Sequence, residues 1–178
     1  MLELAQLAGC VMNKKETKSD RRRAEIVESV TKHLLERGLR SSGIRALAKS
    51  ADTSDRMLMY YFGTKENLIT EVVTAAAEGL SLRLNEMVPG NNLSGKQLIN
   101  TVVDAAEAPE VKPLLRFFFE MVGRAMRDEP PYKLVSVNML DLWQLWVESK
   151  LKSDQRHRAP EVVAELEGQL MMNLLRGE

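Results

Sequence analysis

From about residue 19 onward the apolar positions recur three and four residues apart, and no stretch of useful length alternates apolar with polar as a strand would. The pattern predicts an all-α protein of eight helices. The first runs from about Ser19 or Asp20 to Arg37, with Ile26, Val30 and Leu34 on one face and Gly38 as its stop. Two short helices follow, the second marked by Ile44, Leu47, Ala48 and Ala51 and the third by Leu58, Tyr61 and Phe62. A fourth opens behind Thr64, carries Leu68, Val72, Ala75 and Leu82 toward Met87, and is ended by Pro89-Gly90-Asn91-Asn92. Ser94 caps a fifth, with Leu98, Val102 and Ala105 inward and Pro109 at its close. The sixth, about Glu110 to Arg127, and the seventh, about Pro131 to Lys152, each carry two adjacent apolar stripes, which requires burial on more than one side. After a polar loop from Ser153 to Ala159, Pro160 begins an eighth helix with Val163, Leu166, Leu170 and Leu174.

The second and third helices stand around a tight polar turn, the layout of a helix-turn-helix. Asp52 tolerates the left-handed conformation that a sharp turn needs, and Ser54 can accept a bond from the free amides of the helix it precedes. Charge supports a role for this region. The formal net charge is zero, yet residues 13–65 hold 13 Lys or Arg against 7 Asp or Glu, while residues 66–178 hold 12 against 17. A basic surplus placed on a helix-turn-helix is what neutralising DNA phosphates asks for.

The chain's 178 residues, 44% of them hydrophobic, suffice for a packed core. No apolar run reaches the roughly 18 to 20 residues that would span a bilayer, so no membrane partner is expected. A single cysteine, Cys10, excludes an intrachain disulfide framework and fits a reducing, cytoplasmic setting. Leu7-Ala8-Gly9-Cys10 has the form of a lipoprotein cleavage box, but the Met-Leu-Glu start and Gln6 leave it without the basic start and apolar run of a signal peptide. We read it as a frayed leader or the product of an upstream start codon ahead of Met12. Lys14, Lys15, Lys18 and Arg21-Arg22-Arg23 form a basic arm, either a solvated leader or a supplier of phosphate contacts.

Over about residues 20–72 the chain resembles the TetR family of bacterial transcriptional regulators. The residues that carry this are the Gly38 stop, Ile-Arg-Ala-Leu-Ala from Ile44 to Ala48, Ser54, the closing Tyr60-Tyr61-Phe62, and Lys65-Glu66 before Leu68. Asp52 and Thr53 replace the family's usual Gly and Val, and Met59 stands where a tyrosine commonly touches a phosphate, a role Tyr60 or Tyr61 could take. The resemblance implies a leader at 1–18, a helix-turn-helix three-helix bundle at 19–66 and a helical effector-binding and dimerisation domain at 67–178. It also implies a homodimer that binds double-stranded DNA at a near-palindromic operator, read here as a repressor, and is released by a small, mainly apolar effector. By position, Arg45 reaches a base edge or phosphate; Ser54, Asp55, Arg56, Met57 and Tyr60 occupy the groove-facing side, with Arg56 the foremost base reader. Tyr61 and Lys65 contact phosphates, Tyr61 being equally suited to the core.

Beyond residue 72 only the helical pattern matches. The aromatic and Met-rich composition there suits either plain core packing or an apolar pocket, with Phe118, Met121 and Trp143 as wall and Asn100, Arg116 and Asn138 as polar candidates. The seventh and eighth helices, with apolar surface to spare, are the expected dimer interface. No cofactor or metal is expected, and no enzyme. His33 and His157 have no metal-ligand partner at useful spacing, no phosphate loop or nucleophile motif occurs, and Glu165 and Glu167 read as solvated surface. The alternative is a helical protein-interaction module that retains the helix-turn-helix only as scaffold.

Overall fold

A computed structural model describes residues 17–177, so most of the expected leader, with Cys10, Lys14 and Lys15, lies outside the described residues. Among the described residues there are eight α-helices: α1 (Lys18–Arg37), α2 (Ile44–Ser50), α3 (Asp55–Phe62), α4 (Lys65–Met87), α5 (Gly95–Ala106), α6 (Lys112–Ala125), α7 (Tyr132–Lys150) and α8 (Ala159–Arg176). The only β feature among the described residues is an isolated bridge between Leu93 and Leu151. The all-α expectation therefore holds.

Local chemistry sets most helix ends. Thr17 starts α1 one or two residues earlier than periodicity suggests. Its hydroxyl accepts from the Asp20 amide at 3.1 Å while the Asp20 carboxylate accepts from the Thr17 amide at 3.0 Å. Ser54, Thr64 and Ser94 cap α3, α4 and α5 through the amides of Met57, Asn67 and Gln97. Two boundaries move inward from expectation. The turn at Glu107–Glu110 ends α5 at Ala106, short of Pro109, and α6 begins at Lys112 with Pro113 in its first turn, where a missing amide leaves no bond unmade. Part of the expected loop before α8, Arg156–Arg158, is a 3-10 turn.

Side chains from α1 to α4 build the first core. Ile26, Val30, Leu34, Leu47, Leu58, Leu68 and Val72 have no accessible surface, and Phe117 and Met121 of α6 and Tyr132 and Val135 of α7 complete it. A second core gathers Leu84, Val88, Leu98, Val102, Val147 and Leu166 from α4, α5, α7 and α8. Helix α4 belongs to both.

The loop between α1 and α2 is where the two halves meet. Gly38, at φ 75° and ψ 169°, occupies a backbone region open almost only to glycine, and a Cβ there would lie 2.9 Å from a Glu120 carboxylate oxygen. That carboxylate accepts the Leu39 amide at 2.8 Å. Tyr132, at the start of α7, is buried, which raises the pKa of its hydroxyl. Helix α6 thus holds the loop from which α2 departs.

Replacing Gly38 with Ala is expected to destabilise the protein by about 1–3 kcal/mol. Gly43→Ala, where nothing lies within 4 Å of the added carbon and φ is −64°, should stay within about 0.5 kcal/mol of the parent. Urea unfolding of the two variants checks the contrast.

Candidate nucleic-acid interface and ligand cavity

The turn between α2 and α3 forms as its residues dictate. Asp52 takes φ 46°, the Thr53 amide donates to the Ala48 carbonyl at 3.0 Å, and Ser54 begins α3. Leu58 and Phe62 anchor the inner face of α3. Its outer face presents Asp55, Arg56, Met57 and Tyr60, and Tyr60 is 75% exposed. Arg45 projects from α2 beside them with its side chain 93% exposed, 3.9 Å from Asp55, a loose surface pair that leaves the guanidinium available. Tyr61 is half-buried against the first core, its ring edge-on to Tyr60 at 5.3 Å, and Met59 packs against the same core. Lys65 lies in the first turn of α4. The sequence-derived DNA-facing residues therefore share one surface, with Ser54 acting as the cap of α3 and Tyr61 lying partly inside.

The arginine run is corrected by the structure: Arg22 and Arg23 are fastened to the fold. Arg22 donates to the carbonyls of Ala51 and Asp52 at 3.2 and 3.1 Å and so braces the turn itself. Arg23 donates to the Tyr61 carbonyl at 2.6 Å, forms a two-contact ion pair with Glu71 of α4, and lies 4.8 Å from the centre of the Phe62 ring. Hydrogen bonding to Glu71 raises the pKa of this guanidinium further. These partners are 29 to 48 residues away in sequence, beyond the reach of any local pattern. Lys18 and Arg21 instead line a surface depression with Tyr60 and Tyr61, at the edge of the helix-turn-helix face.

Between α4, α5, α6, α7 and α8 lies a cavity of about 90 Å³. Leu80 and Leu84, Val102, Phe118 and Phe119, and Trp143 and Trp146 supply its apolar walls. The two indoles stack at 4.9 Å with 10° between their planes, and Trp146 is fixed by donating to the Asn85 side chain at 2.8 Å. Phe118 and Trp143 are thus where the sequence suggests. Met121 is not; it is wholly buried in the first core and touches only a much smaller void next to Phe118.

The expected polar candidates also fall elsewhere. Asn100, Arg116 and Asn138 are exposed and do not line the cavity, and Asn138 faces an open groove between α4 and α7. Each stands one residue from an inward position, and one residue turns a helix by roughly 100°. The charged wall residue is Glu167, which the sequence reading assigned to solvated surface. Burial raises the pKa of its carboxyl. The signal was present, since Val163, Leu170 and Leu174 stand four before, three after and seven after it, on one face of α8.

Beyond the cavity, α7 and α8 leave large apolar side chains uncovered. Leu134, Leu142 and Leu145 on α7 and Met171, Met172 and Leu175 on α8 are all exposed, Leu175 by 80%.

An exposed short helix on a compact helical core, with a cavity in a second helical layer, is the layout of a helix-turn-helix domain joined to a helical domain. Residues 26–72 match the model of the bacterial regulatory proteins of the tetR family. No curated protein matches it in sequence. Solved structures share the fold over nearly the whole chain. The multidrug binding protein EbrR, complexed with imidazole, is 19% identical with a TM-score of 0.70 and covers 96% of this chain and 87% of its own. Its complex with proflavin gives 20% and 0.68, covering 88% and 91%. A transcriptional regulator from Rhodococcus sp. Rha1 gives 17% and 0.65, covering 89% and 84%.

Removal of Arg23 by Arg23→Ala is expected to lower stability by about 1–2 kcal/mol, a charged hydrogen-bond set discounted for partial exposure. Arg45→Ala and Arg56→Ala, on the open face, should leave it within about 0.5 kcal/mol. Thermal unfolding of the three variants separates the fold-holding arginine from the surface ones.

Proposed function

We propose that the protein is a homodimeric repressor that binds a near-palindromic operator and releases it when a small, mainly apolar molecule enters the helical cavity. The observation that carries this reading is the division of labour on α3. Leu58 and Phe62 hold the helix to its core, while Asp55, Arg56, Met57 and Tyr60 stand outside with Arg45 beside them. Arg45 and Arg56 have the forked donors that match guanine in the major groove. Tyr60, Tyr61 and Lys65, with Lys18 and Arg21 at the edge, suit phosphates. Residues 19–66 then form the DNA-binding unit and residues 67–178 the sensing and dimerisation unit.

Dimerisation is supported by the exposed leucines and methionines of α7 and α8, which a second copy would cover as a four-helix interface. Two-fold symmetry sets two recognition helices about 34–36 Å apart, or a multiple of it, in successive major grooves on one face of DNA. Sensing is supported by the cavity and by EbrR, solved with imidazole and with proflavin. At about 90 Å³ the enclosed space is below the roughly 300 Å³ of a drug-sized pocket, so a larger ligand must push its walls apart. Leu80 and Leu84 of α4 are among those walls, so entry displaces α4 and the helix-turn-helix packed on its other end. Among the described residues no three His, Cys, Asp or Glu gather as a metal site, and no helix is long and apolar enough to cross a membrane. Both are compatible with a cytoplasmic, non-enzymatic regulator that needs no cofactor.

Selection of random duplexes by the purified protein should return a palindrome, and Arg45→Ala or Arg56→Ala should weaken binding to it about tenfold or more. Sequence-blind binding unchanged by both substitutions would sink the base-reading assignment in favour of a protein-interaction module. The paired change Leu145→Glu and Leu175→Glu should leave a monomer in sedimentation equilibrium that no longer holds both half-sites. A monomeric parent protein would refute the proposed interface.

A further inference from the structure

Glu167 is the one charged side chain among the residues that line the cavity, and no hydrogen bond or ion pair is found for it among the described residues. A carboxylate on a hydrocarbon wall loses hydration and gains nothing unless something pairs with it. The desolvation is evident in the raised pKa of its carboxyl. No basic side chain lines the same space, so a carboxylate or phosphate ligand would meet only repulsion or unpaired burial there. Lys150 stands close by but is committed elsewhere, its Nζ donating to the Val88 carbonyl at 3.1 Å.

The aromatic part of the wall has the complementary property. Trp143 and Trp146 line the cavity with their rings stacked in parallel, and Lys150 Nζ already lies 5.3 Å from the Trp146 ring centre. Indole faces attract cations, most strongly where water is excluded. An apolar enclosure with one carboxylate and a pair of indoles presents the two groups that stabilise a cation whose charge is carried on carbon-covered nitrogen.

We propose that the cavity is a binding site for a lipophilic organic cation, a quaternary ammonium or an alkylated aromatic amine, with Glu167 as its counter-ion and Trp143 and Trp146 as its stacking wall. The proposal rests on the regulator reading above and names the chemistry of its ligand. Its size agrees with the cavity, where about 90 Å³ takes one ring or one ammonium head.

The chain supplies its own reporter, because its two tryptophans are both in the cavity wall. Intrinsic fluorescence of the full chain, titrated with benzyltrimethylammonium, benzyl alcohol and phenylacetate, measures occupancy directly. The expected result is saturable binding of the cation, tighter than of the alcohol, with phenylacetate weakest. Glu167→Gln, nearly isosteric, should weaken the cation about tenfold or more and leave benzyl alcohol unchanged or tighter. No saturable response to the cation, equal affinity of parent and Glu167→Gln for it, or preference for phenylacetate would each overturn the assignment. Duplex selection on the same preparation keeps the two readings apart. A palindrome without cation binding removes the ligand class and leaves the regulator, whereas Glu167-dependent cation binding without sequence-specific DNA binding does the reverse.

Discussion

The structure depends on α4 being one unbroken helix. Its 23 residues extend about 35 Å at 1.5 Å per residue, long enough to reach through both cores. Leu68, Ile69, Val72 and Val73 sit among the side chains of α1, α2 and α3, while Leu80 and Leu84 form part of the cavity wall. An α-helix held by its own backbone bonds moves as a rod, so its two ends cannot be set independently. The Asn67 side chain donates to the Phe62 carbonyl at 3.0 Å, and Arg23 ties Glu71 of α4 to the Tyr61 carbonyl of α3. Motion of the rod is passed to the recognition helix through these bonds.

The other half of the constraint is the loop after α1. Glu120 of α6 holds the Leu39 amide, so the root of α2 is fastened to the helix that also carries Phe118 and Phe119 into the cavity. The helix-turn-helix is therefore held at two separate places by elements that enclose the cavity. A rearrangement that moved α4 relative to α6 would change the angle between two attachments rather than shift the module bodily, a geometry in which a sub-ångström change at the wall is enlarged at the distal end.

Features determined within a few residues were legible in the sequence. Asp52 takes the left-handed turn, Ser54 and Thr64 cap the helices they precede, Gly38 stops α1, and the spacing of Ile26, Val30 and Leu34 gives its buried face. The outer face of α3 was legible for the same reason, because a short helix with Leu58 and Phe62 inward has no choice about where Arg56 and Tyr60 point. What escaped required distant partners. Arg22 and Arg23 look like a free basic run until Ala51, Asp52, Tyr61 and Glu71 are brought to them. In the second half, where α7 is apolar on several sides, no pattern says which side faces the cavity, and Asn138 and Met139 exchange roles on a single-residue rotation. Glu167 was misread because its neighbour Glu165 drew the comparison, although Val163 and Leu170 define its surroundings.

The fastening of Arg22 and Arg23 has a consequence for how the basic half of the chain meets a duplex. Each phosphate neutralised by a protein cation sets free condensed counterions, and the logarithm of affinity falls with the logarithm of salt by about 0.9 per phosphate. Guanidinium groups already bonded to Ala51, Asp52, Tyr61 and Glu71 displace few of these ions. On the proposed reading, the ionic-strength dependence of DNA binding is therefore shallower than the tally of lysines and arginines implies, and a larger share of the affinity at physiological salt comes from contacts that salt does not screen.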